Sequence, residues 1–233
     1  QSSTMVAFGK TDEMIARIDE KVAAGFHVIK LKIGAIDFGQ ELEMISHIRS
    51  RYSGSDLTIR VDANGGFTPG NVMERLNRLA EYSIHSIEQP IKAGQWEQMA
   101  EVCDKSPIPV ALDEELIGIT NPMMMMSLLR TIRPHYIILK PSLMGGFAGS
   151  TEWLKMAAQF GIGGWITSAL ESNIGLNALA QWVTTLQVRI PQGLGTGALY
   201  HNNIPSPLCQ RADYLCSDPK RGWQLPEFNW ITE

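Results

Sequence analysis

The sequence predicts an α/β barrel in which seven strand–helix units are closed by a final strand. Three observations lead there. Short β-branched runs alternate with longer amphipathic ones along nearly the whole chain, an order that implies a parallel sheet covered by helices. The length, 233 residues, suits one large barrel unit. No dinucleotide-type glycine loop follows the first strand, which favours a barrel over an open doubly wound sheet.

The elements follow in order. "TMVAF" precedes a helical pattern over residues 11–24, and "HVIKLKI" precedes "GQELEMISHIRSRY", whose apolar residues recur three and four apart. "LTIRVDA" leads to a helix over 69–82, "HSIEQP" to 95–104, "IPVALDE" to 120–130, "YIILKPS" to 147–160 and "GGWITSAL" to 173–186. A last apolar stretch near "QVRIPQGLG" closes the series. The barrel is therefore expected over residues 1–200. The proline- and aromatic-rich tail over 201–233, with Trp223 and Trp230, is expected to be an irregular arm.

Composition excludes several functions. Charged residues are 19% of the chain, the net charge is −4, and no basic patch suggests nucleic acid or an anionic membrane surface. No apolar run reaches the roughly 18 residues of a membrane span, and the opening residues lack a signal-peptide pattern, so a cytoplasmic protein is the default expectation. Cys103, Cys209 and Cys216 lack C-x-x-C spacing and read as ordinary reduced thiols. The five histidines show no ligand spacing, which argues against zinc, and no G-x-S-x-G marks a hydrolase elbow. "GLGTG" reads as a tight turn rather than a phosphate cradle, and Met123 to Met126 as helix packing with one flank exposed.

The chemistry lies at the strand ends. Side chains alternate across a strand, so Lys30 and Lys32 share one face of "VIKLKI" and Ile29, Leu31 and Ile33 the other. Helices around a barrel require an apolar outer face, which sends both lysines inward. The following strands end in Asp62, Glu88, Asp113 and Lys140, separated by 26, 25 and 27 residues, about one strand–helix unit each. One charged group per strand thus converges on one mouth, where active sites of this architecture lie. Three carboxylates in an apolar mouth repel one another unless a cation holds them, and oxygen ligands favour a hard ion such as Mg²⁺ or Mn²⁺. An amine crowded by a second ammonium and a divalent ion loses its proton more easily, so Lys32 is the candidate base near pH 7, tuned by Lys30.

These residues resemble a known family. "KLK", "VDAN", "IEQP", "LDE", "LKPSLMGG", "TSALESNIG" and "GLGTG", spread from about Phe8 to Pro207, resemble the TIM-type (β/α)7β barrel domain of the enolase superfamily, in its muconate-lactonizing branch and nearest its o-succinylbenzoate synthase group. The resemblance implies that Asp62, Glu88 and Asp113 bind Mg²⁺, that Lys32 abstracts a proton beside a substrate carboxylate, that Lys30 assists, and that Lys140 on the opposite face stabilises the resulting charge. It also implies substrate contacts from Ser168 and Glu171, with Ser168 or nearby backbone N–H groups holding a carboxylate, and a role for Asn64 in orienting the metal shell. The implied reaction is syn dehydration of succinyl-hydroxycyclohexadiene carboxylate to o-succinylbenzoate in menaquinone biosynthesis. N-acylamino acid racemisation and dipeptide epimerisation are the alternatives, with a metal-binding but inactive barrel as a third. The expected partner is a small carboxylate substrate, and the sequence leaves the oligomeric state open.

Family members begin with an α+β capping domain over the mouth, and this chain, which begins at Gln1, is expected to lack it. The resemblance therefore implies a barrel without its cap, of uncertain activity, with lowered stability, a tendency to associate, and Trp223 and Trp230 partly exposed or repacked.

Overall fold

A computed structural model describes residues 1–6, 11–186, 188, 190–195 and 200–225. Seven parallel strands lie in sequence order: β1 (Thr4–Val6), β2 (Val28–Lys32), β3 (Thr58–Asp62), β4 (Ile84–Glu88), β5 (Val110–Leu112), β6 (Tyr136–Leu139) and β7 (Gly163–Ile166). Between and after them run α1 (Thr11–Ala23), α2 (Phe38–Arg51), α3 (Val72–Ala80), α4 (Trp96–Lys105), α5 (Pro122–Ile132), α6 (Gly146–Gln159) and α7 (Asn173–Thr184). Among the described residues, the expected closing strand is seen as two parallel bridges, Ser2 to Gln192 and Thr167 to Gly193, which join both edges of the sheet. Backbone N–H groups of Ser3 and Ser168 donate to Gln192 and Gly193, and that of Gly193 donates to Ile166. These bridges close the ring of parallel strands, so neither β1 nor β7 is left as a fully open edge.

Register aligns the inward-facing residues in layers. Lys30 pairs with Arg60 and Arg60 with Ser86; one layer nearer the mouth, Lys32, Asp62, Glu88 and Ala111 pair in succession. The alternate residues Ile29, Leu31, Ile59, Val61, Ile87, Val110, Leu112, Ile137 and Leu139 are fully buried. They join one core with Ile18, Ile45, Leu76, Leu79, Met99, Leu128 and Trp153 of the helices. Burial contributes about 1.5–3 kcal/mol for each large aliphatic side chain, before the entropy of ordering is set against it. Ala111, Ile138 and Trp165 form a separate cluster with Tyr136 and Ile190.

Local chemistry fixes the helix ends. The Asp37 carboxylate accepts the Gln40 N–H at the start of α2. Asn121 accepts the Met123 and Met124 N–H groups before α5, which has Pro122 in its first turn. Met125 is buried in α5 while Met123 and Met124 are exposed, the division expected of a packed helix with one free flank. After α1, the Gly25 and Phe26 N–H groups donate to Val22 and Lys21, with Gly25 at φ +88°, which is a Schellman cap. The fully buried Glu41 accepts from the backbone N–H groups of Gly34 (2.7 Å), Ala35 and Ile36, holding the loop between β2 and α2.

The tail differs from the irregular arm expected over 201–233. It contains an antiparallel hairpin, β8 (Leu208–Arg211) and β9 (Tyr214–Ser217), joined by Ala212 and Asp213. Two short alternating runs around a two-residue turn suffice for a hairpin, and the surrounding prolines mask that pattern in the sequence. The hairpin packs on the barrel: Leu208 and Leu215 cover Leu176, Leu179 and Leu194, and Asp213 accepts the Ser2 N–H and pairs with His27 at 3.2 Å. Trp223 is partly exposed, at 37%; Trp230 lies outside the described residues.

Candidate active site

Strand order places β2 and β6 across the ring from each other, so Lys32 at the end of β2 and Lys140 just after β6 face one mouth from opposite sides. Lys30, Lys32 and Lys140 together with Thr167, Ser168 and Leu170 line a cavity of about 410 Å³, within the usual size of a small-molecule site. The lysine side chains keep 18%, 19% and 20% of their surface exposed, whereas Asp62 and Asp113 keep none. The ammonium groups thus form the cavity wall, with the acids beneath.

The charges interlock. Lys30 Nζ lies 2.9 Å from Asp62 Oδ2 and 3.0–3.1 Å from both oxygens of Glu88. Lys32 Nζ donates to Asp62 Oδ2 at 2.6 Å and to Asn64 Oδ1 at 2.5 Å. Lys140 pairs with Asp113. Burial pulls the Lys30 pKa down, but Glu88 and Asp62 outweigh it and hold the group above the ordinary lysine range. This arrangement therefore favours the charged form of Lys30. Burial pushes Asp62 up, and Lys30 and Lys32 more than reverse it, so Asp62 is held below the usual carboxylate range. Burial raises Glu88 well above its ordinary value; Lys30 opposes this and the adjacent Asp62 and Asp113 add to it.

The donor set fits a hard divalent ion. It consists of carboxylate oxygens from the ends of three neighbouring strands, Glu88 lies against both aspartates, and the buried Oδ1 of Asp113 has no hydrogen-bond partner among the described residues. Among the described residues no three His, Cys, Asp or Glu side chains are gathered tightly enough to ligate an ion as they stand. Each acid is instead turned toward a lysine.

Two of the expected substrate contacts are engaged inside the protein. Glu171 accepts from Ser142 Oγ (2.5 Å), Ser168 Oγ (2.5 Å) and the Ala169 N–H (2.9 Å). Ser168 Oγ in turn accepts the Leu170 N–H at 3.0 Å. A hydroxyl has one proton to give, so Ser168 presents no donor to a substrate carboxylate, and the Ala169 and Leu170 N–H groups are likewise used. Asn64, at φ +42°, takes its N–H to Asp62 Oδ1 and its Nδ2 to Glu114, leaving Oδ1 to orient Lys32.

Two further residues went unnoticed in the sequence. Gln89 is fully buried; its Oε1 accepts the Asp113 and Glu115 N–H groups and its Nε2 donates to Ile91 and Glu115, which fixes the turn carrying Asp113. Arg60, 2% exposed, stacks at 4.2 Å over Trp165 and donates to Pro191. It sits two residues before Asp62 on the same face, and strand alternation alone could have found it.

The fold and mouth define a barrel of one family: the chain belongs to the enolase C-terminal domain-like family, whose model matches residues 13–208. Over 204 residues the chain is 52% identical to the o-succinylbenzoate synthase of Desulfotalea psychrophila, covering 88% of this chain and 55% of that protein. It matches the crystal structure of MenC from the same organism with a TM-score of 0.87 at 48% identity, over 92% of this chain and 59% of that one. The L-Ala-D/L-Glu epimerase of Bacillus subtilis is 26% identical over 182 residues, covering 77% of this chain and 49% of that protein. The chain spans about half the length of the curated relatives it matches. Among the described residues, no helix is long and apolar enough to cross a membrane.

Proposed function

We propose that the chain is the barrel, residues 1–200 with the arm 201–233, of an o-succinylbenzoate synthase-type lyase that dehydrates succinyl-hydroxycyclohexadiene carboxylate. The observation that carries this reading is the mouth itself: Lys32 and Lys140 face one cavity from opposite sides, above three acids. The 52% identical relative bearing that name supports it. With Lys32 neutral as the base, a divalent ion on Asp62, Glu88 and Asp113 beside Lys30 and Lys140 would leave the mouth positive, suited to an anionic substrate such as this dicarboxylate. Asp62, Glu88 and Asp113 would hold Mg²⁺ or Mn²⁺, which when bound supplies stabilisation of negative charge on a substrate carboxylate.

The rest is performed by side chains. Lys32, held by Asn64 and Asp62, takes the proton beside the carboxylate and returns it to the departing hydroxyl on the same face, releasing water. Lys30 stays charged and keeps Asp62 and Glu88 in place. Lys140, across the mouth, faces the developing charge.

A racemase reading also has support. Lysines on both faces suit proton removal from one side and return from the other, and the 25% identical N-succinyl-L-Arg/Lys racemase of Bacillus cereus is a relative. The test follows the dehydration by ultraviolet absorbance with Mg²⁺ and with EDTA, alongside polarimetry on N-succinylamino acids. Mg²⁺-dependent turnover of the diene substrate is expected. Racemisation without dehydration, by a folded chain, would replace this reading with the second.

A further inference from the structure

Cys209 and Cys216 are direct partners in the antiparallel pairing of β8 and β9. Residues opposite each other in such a ladder have Cα atoms about 4.5 or 5.5 Å apart, according to the type of pair, and their side chains stand on the same face. Both spacings fall within the roughly 4.4–6.8 Å that a disulfide spans. Leu208 and Leu215 turn to the barrel, so alternation puts the two cysteines on the other face, with the exposed Arg211 and Tyr214. Both thiols are free and half-buried, and among the described residues Cys216 Sγ makes only a long contact, 3.8 Å, to the Tyr214 carbonyl.

We propose that Cys209 and Cys216 form a reversible cross-strand dithiol–disulfide pair, a modification site whose reactant is a low-molecular-weight disulfide such as glutathione disulfide. One protein thiolate attacks the glutathione disulfide, forming a protein–glutathione bond and expelling a glutathione thiolate. The second protein thiolate attacks the protein sulfur of that mixed disulfide, closing the Cys209–Cys216 bond and expelling the second glutathione. The two protein thiols lose two electrons, glutathione disulfide gains them, and the thiol protons pass to the departing glutathiones. The bond would tie together the hairpin whose tip, Ala212 and Asp213, lies against Gly25, Ser2 and His27. Cys103 is the internal control: it is buried, and burial, with Glu115 nearby, pushes its thiol up to about 12.

The test equilibrates the folded chain with glutathione disulfide, alkylates without reduction and maps the cysteines by mass spectrometry. Cys209 and Cys216 are expected to lose their labels together, in an intramolecular link restored to two thiols by dithiothreitol, while Cys103 becomes labelled only after unfolding. In Cys216→Ser, Cys209 is expected to accumulate a stable glutathione adduct. Two free thiols in excess glutathione disulfide, separate stable adducts on both cysteines of the parent chain, or links between chains in place of the internal one would each overturn the proposal.

Discussion

Glu171 has both carboxylate oxygens occupied by the protein's own donors, from Ser142 after β6 and from Ser168 and Ala169 after β7. It therefore ties two mouth loops together. Burial works against its charge, but the hydrogen bonds, led by those from the two serines, outweigh burial and hold its pKa below the usual range. Glu171→Ala leaves those donors unpaired and is expected to cost about 1–3 kcal/mol of stability, read from the shift in a urea midpoint; an unchanged midpoint would show that the loops do not depend on it. His85 is a second residue with a readable consequence. It stacks on Tyr136 with ring centroids 5.7 Å apart, and burial, with a smaller contribution from the Arg60 charge, lowers its pKa from the ordinary 6.5. The unfolded chain then binds the proton more readily than the folded one. Stability present above about pH 6.5 is lost as the pH falls through the depressed folded value. Midpoints measured from pH 7.5 to 5 should fall, and His85→Phe, which keeps a ring on Tyr136, should flatten part of that slope; an identical slope would exclude His85 as its source.

At the scale of elements, α1 and the hairpin meet at one glycine. Gly25 takes φ +88° in the cap of α1, and a Cβ there would lie 2.7 Å from the Ala212 Cβ. Gly25→Ala combines an unfavourable left-handed residue with that clash and is expected to lower stability by about 1–3 kcal/mol; a change under a few tenths in a chemical denaturation curve would contradict this contact. The same junction shows what a sequence conceals. The helix expected over 11–24 is α1 to within a residue, because its apolar spacing is local. The hairpin was missed because its strands are short and lie among Pro205, Pro207 and Pro219. The charged strand ends were legible from their even spacing and from strand alternation, both properties of the chain alone. The engagement of Glu171 was not, since its partner Ser142 is 29 residues away and only the order of β6 and β7 brings them together.

For the molecule as a whole, closure of the ring is what converts a row of strands into a site. The bridges at Gln192 and Gly193 bring the first and last strands together, so β2 and β6 lie on opposite sides and their lysines face one another across the cavity. After the strands that end at that mouth, Ile36, Ile117 and Leu170 in loops and Leu143 in a single 3-10 turn are exposed. Lys32, as the base, carries the proposed reaction. The measurement that tests it is the dehydration rate of Lys32→Ala beside the parent chain, at saturating Mg²⁺, with equal melting temperatures confirming that both are folded. A loss of roughly 10²–10⁴-fold is predicted from removal of a positioned general base; a variant within a few-fold of the parent would contradict the assignment and move the search for the base to Lys140.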